Sequence, residues 1–167
     1  LGGSGYIGRE ICRVGRQLGH HIVSVSKEGR PDDDDPWVEG IEWIQADVFD
    51  EEAWTGALDG ALSVIDCIGV AVEEDTTFAE TNQRSALVAA QAAHRAGVGS
   101  FVFLSAEMTP PTVDGSYLDA KRAAETALAD TDLDVTILRL PIVFAPDAPG
   151  GMLQGSLRQL DLAPEQL

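Results

Sequence analysis

Two residues four apart in "YLDAK", Tyr117 and Lys121, have the types and the spacing for proton chemistry. On a helix this spacing puts both side chains on one face. A phenol with an ordinary pKa near 10 is a poor acid or base at neutral pH, and a neighbouring ammonium favours the phenolate. The pair therefore predicts a tyrosine acid/base tuned by a lysine that can also hold the ribose of a cofactor.

A second constellation opens the chain. "LGGSGYIGRE" sets Gly2, Gly5 and Gly8 three apart, with Gly3, Ser4, Tyr6 and Ile7 between them. A nucleoside-triphosphate loop needs Lys and then Ser or Thr after the last glycine, and Arg9 and Glu10 stand there instead. A hydrolase nucleophile elbow needs a glycine two residues after the serine, and Ser4 is followed at that distance by Tyr6. The reading that survives is a dinucleotide turn, whose glycines let a pyrophosphate rest on the exposed amides of a helix N-terminus.

Cofactor choice follows from the end of the next strand. An NAD site places an acid there for the ribose hydroxyls, whereas "SVSKEGR" offers Ser26, Lys27 and Arg30, with Arg9 just beyond the glycines. Hydroxyl and cationic groups suit a 2'-phosphate, so NADP is the expected cofactor. Glu28 could supply the missing acid and keeps NAD as the alternative.

Elements must position these groups. Tyr6, Ile7, Ile11, Val14 and Leu18 recur at helical spacing, closed by Gly19. "HIVSVS", "IEWIQAD", "ALSVIDCIG", "FVFLS" and "DVTILRL" read as strands, "ALSVIDCIG" as a longer buried one. Helices are expected from Asp50 through "DEEAWTGAL", from about Thr77 to Arg95, and from Tyr117 to Ala129. Such alternation predicts an α/β fold with a doubly wound parallel sheet. Ligands in such sheets sit beyond the carboxyl ends of the strands, where the glycine turn, Asp47, Gly69, Ser105 and Pro141 fall. Only Leu1 precedes the turn, so the central strand has no sequence and residues are expected to be missing ahead of it.

"GGSGYIG", Asp47 in "ADV", Gly69 in "DCIG", Asn82 in "ETNQRSALVAAQAA", "FVFLSA", "YLDAK" and "LRLPIVF" come in the order seen in the extended and atypical short-chain dehydrogenase/reductases. The chain most resembles the epimerase/dehydratase-like proteins related to the NADPH-binding accessory subunit of complex I. The resemblance implies a Rossmann-type domain over 1–146 and a short remnant of a substrate region over 147–167. It implies that the glycines seat the pyrophosphate and that Asp47, with Val48 beside it, meets adenine. It further implies that Gly69 passes beside the cofactor, that Pro141, Ile142 and Val143 border the nicotinamide, and that Asn82 braces strands. Tyr117 and Lys121 would work with a serine on a substrate oxygen. Ser105 is the candidate, with Thr109 and Ser116 as alternatives, because Ala106 and Glu107 occupy the usual serine positions. Pairing of two copies through the helix of Tyr117 is implied as well.

Composition narrows the partners. With 28 Asp plus Glu against 11 Lys plus Arg, the formal net charge is −17 and the pI near 4.2. Nucleic acids and anionic membranes should be repelled. The acid excess resembles that of proteins from salt-loving archaea. No apolar run approaches the roughly 20 residues of a membrane span, and no signal-peptide pattern opens the chain. Cys12 and Cys67, lacking metal-like pairing, read as buried thiols in a reducing cytoplasm. "PDDDDP" reads as a solvated loop, and His20, His21 and His94 as solvated positions, which leaves no hydrolase triad or zinc site. The expected function is hydride transfer between a nicotinamide and a small carbonyl or alcohol. The alternative is a non-catalytic NADPH-binding redox sensor or accessory subunit.

Overall fold

The computed structural model describes residues 1–32, 36–70, 77–109 and 113–143. Asp33 to Asp35 of the acidic loop, and the whole of 147–167, lie outside the described residues.

Among the described residues, five short strands run parallel in two sheets. β1 (Val23–Ser26) pairs with β2 (Glu42–Gln45), in register Val23 with Glu42 through Ser26 with Gln45. β4 (Ser100–Ala106) lies between β3 (Ser63–Asp66) and β5 (Val135–Leu140), with Asp66 opposite Phe103 and Ala106 opposite Leu140. Leu1 and Gly2 join the sheets. The Leu1 amino group donates to the Ile65 carbonyl at 2.7 Å, the Cys67 N–H to the Leu1 carbonyl at 3.0 Å, and the Gly2 N–H to the Val25 carbonyl at 2.8 Å. These two residues hold the place that a strand ahead of the glycine turn was expected to fill.

α1 (Tyr6–Gln17) forms where expected but buries a different face. Gly8 and Cys12 are its buried positions, whereas Val14 and Leu18 are exposed. Close approach decides this: a Cβ on Gly8 would run into the Gly2 carbonyl, and one on Gly15 would lie 2.7 Å from Ile22 Cδ1. Small residues let the helix lie against the turn and strand; larger apolar ones would hold it off.

The expected helix after Asp50 is two 3-10 turns, Glu51–Ala53 and Thr55–Leu58. Trp54 breaks them apart with φ −137°, because its ring is buried in the core and its indole N–H donates to the Val48 carbonyl at 3.0 Å. β3 is likewise shorter than the sequence suggested. The helix expected over 77–95 divides into a π-helical stretch, Ala79–Arg84, and α2 (Ser85–Arg95). The wide turn contains the fully buried Asn82, and α2 lays Ala86, Ala89, Ala90 and Ala93 into the core beside Phe101 and Phe103. α3 (Ser116–Ala129) crosses the same sheet and buries Ala120, Lys121, Ala124, Glu125 and Leu128. An ammonium and a carboxylate on a buried helix face need an explanation beyond packing.

Among the described residues no helix is long and apolar enough to cross a membrane, and no group of His, Cys, Asp and Glu is placed to hold a metal. Cys12 and Cys67 are both free thiols.

Candidate functional site

The glycine turn ends in a helix N-terminus with open amides. Gly5 is the N-cap of α1 and contributes no side chain, no side chain caps the first turn, and no acid lies within it. Gly5 is exposed, Gly2 has φ +75°, and a Cβ on Gly3 would collide with Ser24 Oγ and come within 2.8 Å of Cys12 Sγ. Unsatisfied amides on a helix end with a bare backbone in front fit an anionic diphosphate. Ser4 sits on the rim, where its hydroxyl donates to Glu28 Oε2 at 3.3 Å.

The loop after β1 is built from paired charges. Lys27 Nζ lies 3.0 Å from Asp47 Oδ2, and Arg30 donates to Glu39 Oε1 at 2.7 Å. Ser26 is buried and turns its hydroxyl to the Gly29 carbonyl at 3.3 Å, while Gln45 pins the Lys27 carbonyl at 3.0 Å. Both cations thus already have carboxylate partners. Partial burial would raise the Asp47 carboxyl, but the Phe49 N–H and Lys27 together hold it below its ordinary value. Val48, next in the chain, is buried in the core.

A cleft of about 210 Å³ opens at the carboxyl ends of β3, β4 and β5. Tyr6 and Ile7 of α1, Gly69, Ser105, Tyr117, Lys121 and Pro141 to Val143 all line it, with Cys67, Ala106 and Met108. The structure therefore brings one arm of the glycine turn, the Tyr–Lys pair and the segment after β5 to a single cavity. Ser26, Lys27, Arg30, Asp47 and Val48 lie outside its wall, grouped around the ends of β1 and β2.

Lys121 reaches from α3 to backbone acceptors at the ends of β3 and β4. It is 3% exposed, and its Nζ donates to the Leu104 carbonyl at 3.0 Å and the Ile68 carbonyl at 3.1 Å, 4.7 Å from the centre of the Phe103 ring. Burial pushes the Tyr117 phenol above its usual value. The Lys121 ammonium, in the same cleft wall, serves two backbone carbonyls. Tyr117 itself packs edge-on against Phe78, centroids 5.9 Å apart.

Ser105 is similarly committed. Its hydroxyl donates to Glu125 Oε1 at 2.5 Å, and the same carboxylate takes Arg139 Nη2 at 2.6 Å and a short contact from Arg122. Burial would raise Glu125, but these donors outweigh it and hold the carboxyl at about 2. Gly69 lines the cleft, and its missing side chain makes room for other protein groups. A Cβ there would lie 2.7 Å from Lys121 Nζ and 2.9 Å from Asn82 Oδ1. Asn82 braces the loop after β3 through the Val70 carbonyl at 3.2 Å.

Sequence reasoning missed Glu125 and Asp66. Asp66 is fully buried at the end of β3 and Glu125 lies one helical turn beyond Lys121. The acid inside the apolar run "SVIDCIG" was the available signal for the first. The four-residue spacing from Lys121 was the signal for the second.

A family model described as NAD(P)H-binding matches residues 2–156. An uncharacterized chloroplast protein of Arabidopsis thaliana, At1g32220, is 34% identical over 131 residues, 77% of this chain and 44% of that protein. The photosystem II assembly factor Ycf39 of Synechocystis is 28% identical over 160 residues, 95% of this chain and 46% of that protein. Among solved structures, the Bordetella bronchiseptica enzyme WbmG in complex with NAD superimposes with a TM-score of 0.71 at 22% identity, covering 96% of this chain and 58% of that one. The chain thus spans less than half the length of these two curated relatives.

Proposed function

Because this chain belongs to the NAD(P)H-binding family, we propose that it is an oxidoreductase acting on a small carbonyl or alcohol, with Tyr117 as its proton donor and acceptor. The observation that carries the reading is the common cleft: Tyr6 and Ile7, at the open N-terminus of α1, share it with Tyr117, Lys121 and Pro141 to Val143. Gly2 to Gly8 would seat the diphosphate against unsatisfied amides, and Pro141 to Val143 would border the nicotinamide. When bound, the dinucleotide supplies the hydride chemistry. Tyr117, kept a phenol by burial, would pass its proton to the substrate oxygen or recover it in the reverse direction. Ser105 gives its proton to Glu125 and so would meet a substrate hydroxyl as an acceptor.

For the cofactor we propose NADP, on the strength of Lys27, Arg30 and Arg9 near the ends of β1 and the glycine turn. A 2'-phosphate would take Lys27 from Asp47 and Arg30 from Glu39. NAD is the second reading, supported by the Glu28 carboxylate beside Ser4, placed to accept from ribose hydroxyls.

A second function also has an observation behind it. Ser105 and Lys121 are both engaged by the protein, which suits a domain that binds NADPH for sensing or for assembly without turnover. Ycf39 is named as an assembly factor. One experiment separates the readings: melting in molar potassium chloride, the solvent suggested by the acidic composition, with NADPH or NADH at about 100 times Kd. Either ligand should add roughly 2.7 kcal/mol if it binds the native state alone. NADPH protecting more than NADH supports the NADP reading, and no protection by either refutes a dinucleotide site. For the enzyme, Tyr117→Phe should keep the melting shift and lose at least about 100-fold of turnover with small aldehydes or ketones. For the binding domain, no turnover is found in either protein.

A further inference from the structure

Glu125 is a carboxylate that the proposed reaction does not call for, buried at 6% exposure on α3. Three donors converge on it. Ser105 Oγ gives its hydrogen to Oε1 at 2.5 Å, Arg139 Nη2 donates to Oε2 at 2.6 Å and its Nε to Oε1 at 3.1 Å, and Arg122 makes a short contact with Oε1. Register explains the meeting: Ser105 of β4 stands opposite Arg139 of β5, so both side chains leave the same face of the sheet, the face that meets Glu125. Two arginines would be enough to tie an acid on α3 to that sheet. Ser105 adds something else, because of these four residues it alone lines the cleft.

An ionised carboxylate has no hydrogen to give, so the hydroxyl must donate to it. A serine has one hydrogen, and with that hydrogen spent the lone pairs of Ser105 Oγ are what is left for a group entering the cleft. The arginines make this polarity firm by keeping Glu125 charged, and Arg122 also donates to the Glu107 carbonyl at 3.3 Å. Lys121, one turn back along α3, is spent on the Leu104 and Ile68 carbonyls.

We propose that Glu125 is a positioning residue: it fixes the Ser105 hydroxyl as a hydrogen-bond acceptor in the cleft wall, and so selects substrates that carry a hydroxyl beside the reacting carbonyl, the α-hydroxy ketones and aldehydes. The selection rests on the reading of Tyr117 as the proton donor. The carbonyl oxygen takes its hydrogen from Tyr117, and the neighbouring hydroxyl gives its own to Ser105. A plain ketone would set an alkyl group against Ser105 Oγ and leave an unmet acceptor in a buried wall.

A thiol at position 105 reports the polarity without cofactor or turnover. In Ser105→Cys the carboxylate should hold the thiol hydrogen, and Cys67, which lines the same cleft, is the internal reference for access. Labelling by iodoacetamide at pH 8 is read at both positions by peptide mass. Adding Glu125→Gln should raise the ratio of labelling at 105 to that at Cys67 about 10-fold or more, because the thiolate is then left beside two arginines. Adding Arg139→Met instead should lower the ratio or leave it within about 2-fold, since the carboxylate stays and one cation goes. A ratio unmoved by Glu125→Gln overturns the proposal. So does an equal rise in both, which would mean that the network only holds α3 against the sheet. Circular dichroism checks each fold. If the Glu125→Gln pair does not fold, the pH profile of the single Ser105→Cys variant decides, and a thiol pKa at or below the ordinary value of about 8.5 overturns the proposal.

The substrate class is read with NADPH or NADH and a matched pair, hydroxyacetone and butanone, which differ by a hydroxyl in place of a methyl. The parent should favour hydroxyacetone by about 10-fold or more in kcat/KM. Glu125→Gln should shrink that preference to about 3-fold or less, chiefly through KM, and comparing the two proteins cancels the intrinsic reactivity of the ketones. An equal preference in both proteins overturns the selection. Turnover of neither ketone by the parent removes the reduction reading and this substrate class with it, while the thiol ratio still decides where the Ser105 hydrogen points.

Discussion

At the scale of single residues, the glycine turn ahead of α1 and the placing of Tyr117 and Lys121 on one helix were legible because spacing along one turn or one helix is local. The structure makes Gly8 the most demanding of them, since a side chain there would run into the Gly2 carbonyl and lie 2.8 Å from Gly3 Cα. Backbone atoms of a tight turn cannot step aside as a flexible side chain can. Gly8→Ala should therefore cost more than about 2 kcal/mol in denaturant unfolding and weaken dinucleotide binding with it. Gly56→Ala, at a position whose Cβ meets nothing within 4 Å, is the control and should lie within about 0.5 kcal/mol of the parent. The partners of Lys121 and Ser105 were not legible in the same way. The carbonyls that take the Lys121 ammonium belong to Ile68 and Leu104, 53 and 17 positions earlier in the chain, and the pairing of β3 with β4 brings them together.

At the scale of elements, parallel strands alternating with helices follow from the periodicity, and the places where the prediction failed have physical causes. Trp54 outweighs the acidic start of a helix at Asp50 by burying its ring and bonding its indole to Val48. Asn82 lies within a wide turn that no local pattern announces. The attachment of α3 to the sheet is another long-range matter, and it rests on Glu125. That carboxylate gathers Ser105 from β4, Arg139 from β5 and Arg122 from its own helix. With Glu125 at about 2 in the folded chain against an ordinary 4.5, its contribution is complete above pH 4.5 and is lost as pH falls through about 2. The shift corresponds to about 3 kcal/mol. Glu125→Gln should flatten the stability profile by about that amount between pH 5 and 2, read as the difference in unfolding free energy from the parent. An unchanged slope would mean that the network does not hold α3 to the sheet.

At the scale of the whole molecule, a formal net charge of −17 sets a repulsion that no single contact carries. Added salt screens it, so the melting temperature should climb between about 0.1 M and 2 M potassium chloride, most steeply at the lower end where the screening length shortens fastest. A flat response would mean that ion pairs such as Lys27–Asp47 and Arg30–Glu39 lose as much to screening as the repulsion does. Trp54, the residue that broke the expected helix, has one more consequence. All three tryptophans, Trp37, Trp43 and Trp54, are contributed by the stretch from just before β2 to just before β3. The sheet of β3, β4 and β5 and the helix α3 contain none. Indole emission thus watches the shared core at Trp54 and the Trp37–Trp43 pair beside β2, while the phenols of Tyr6 and Tyr117 watch the cleft.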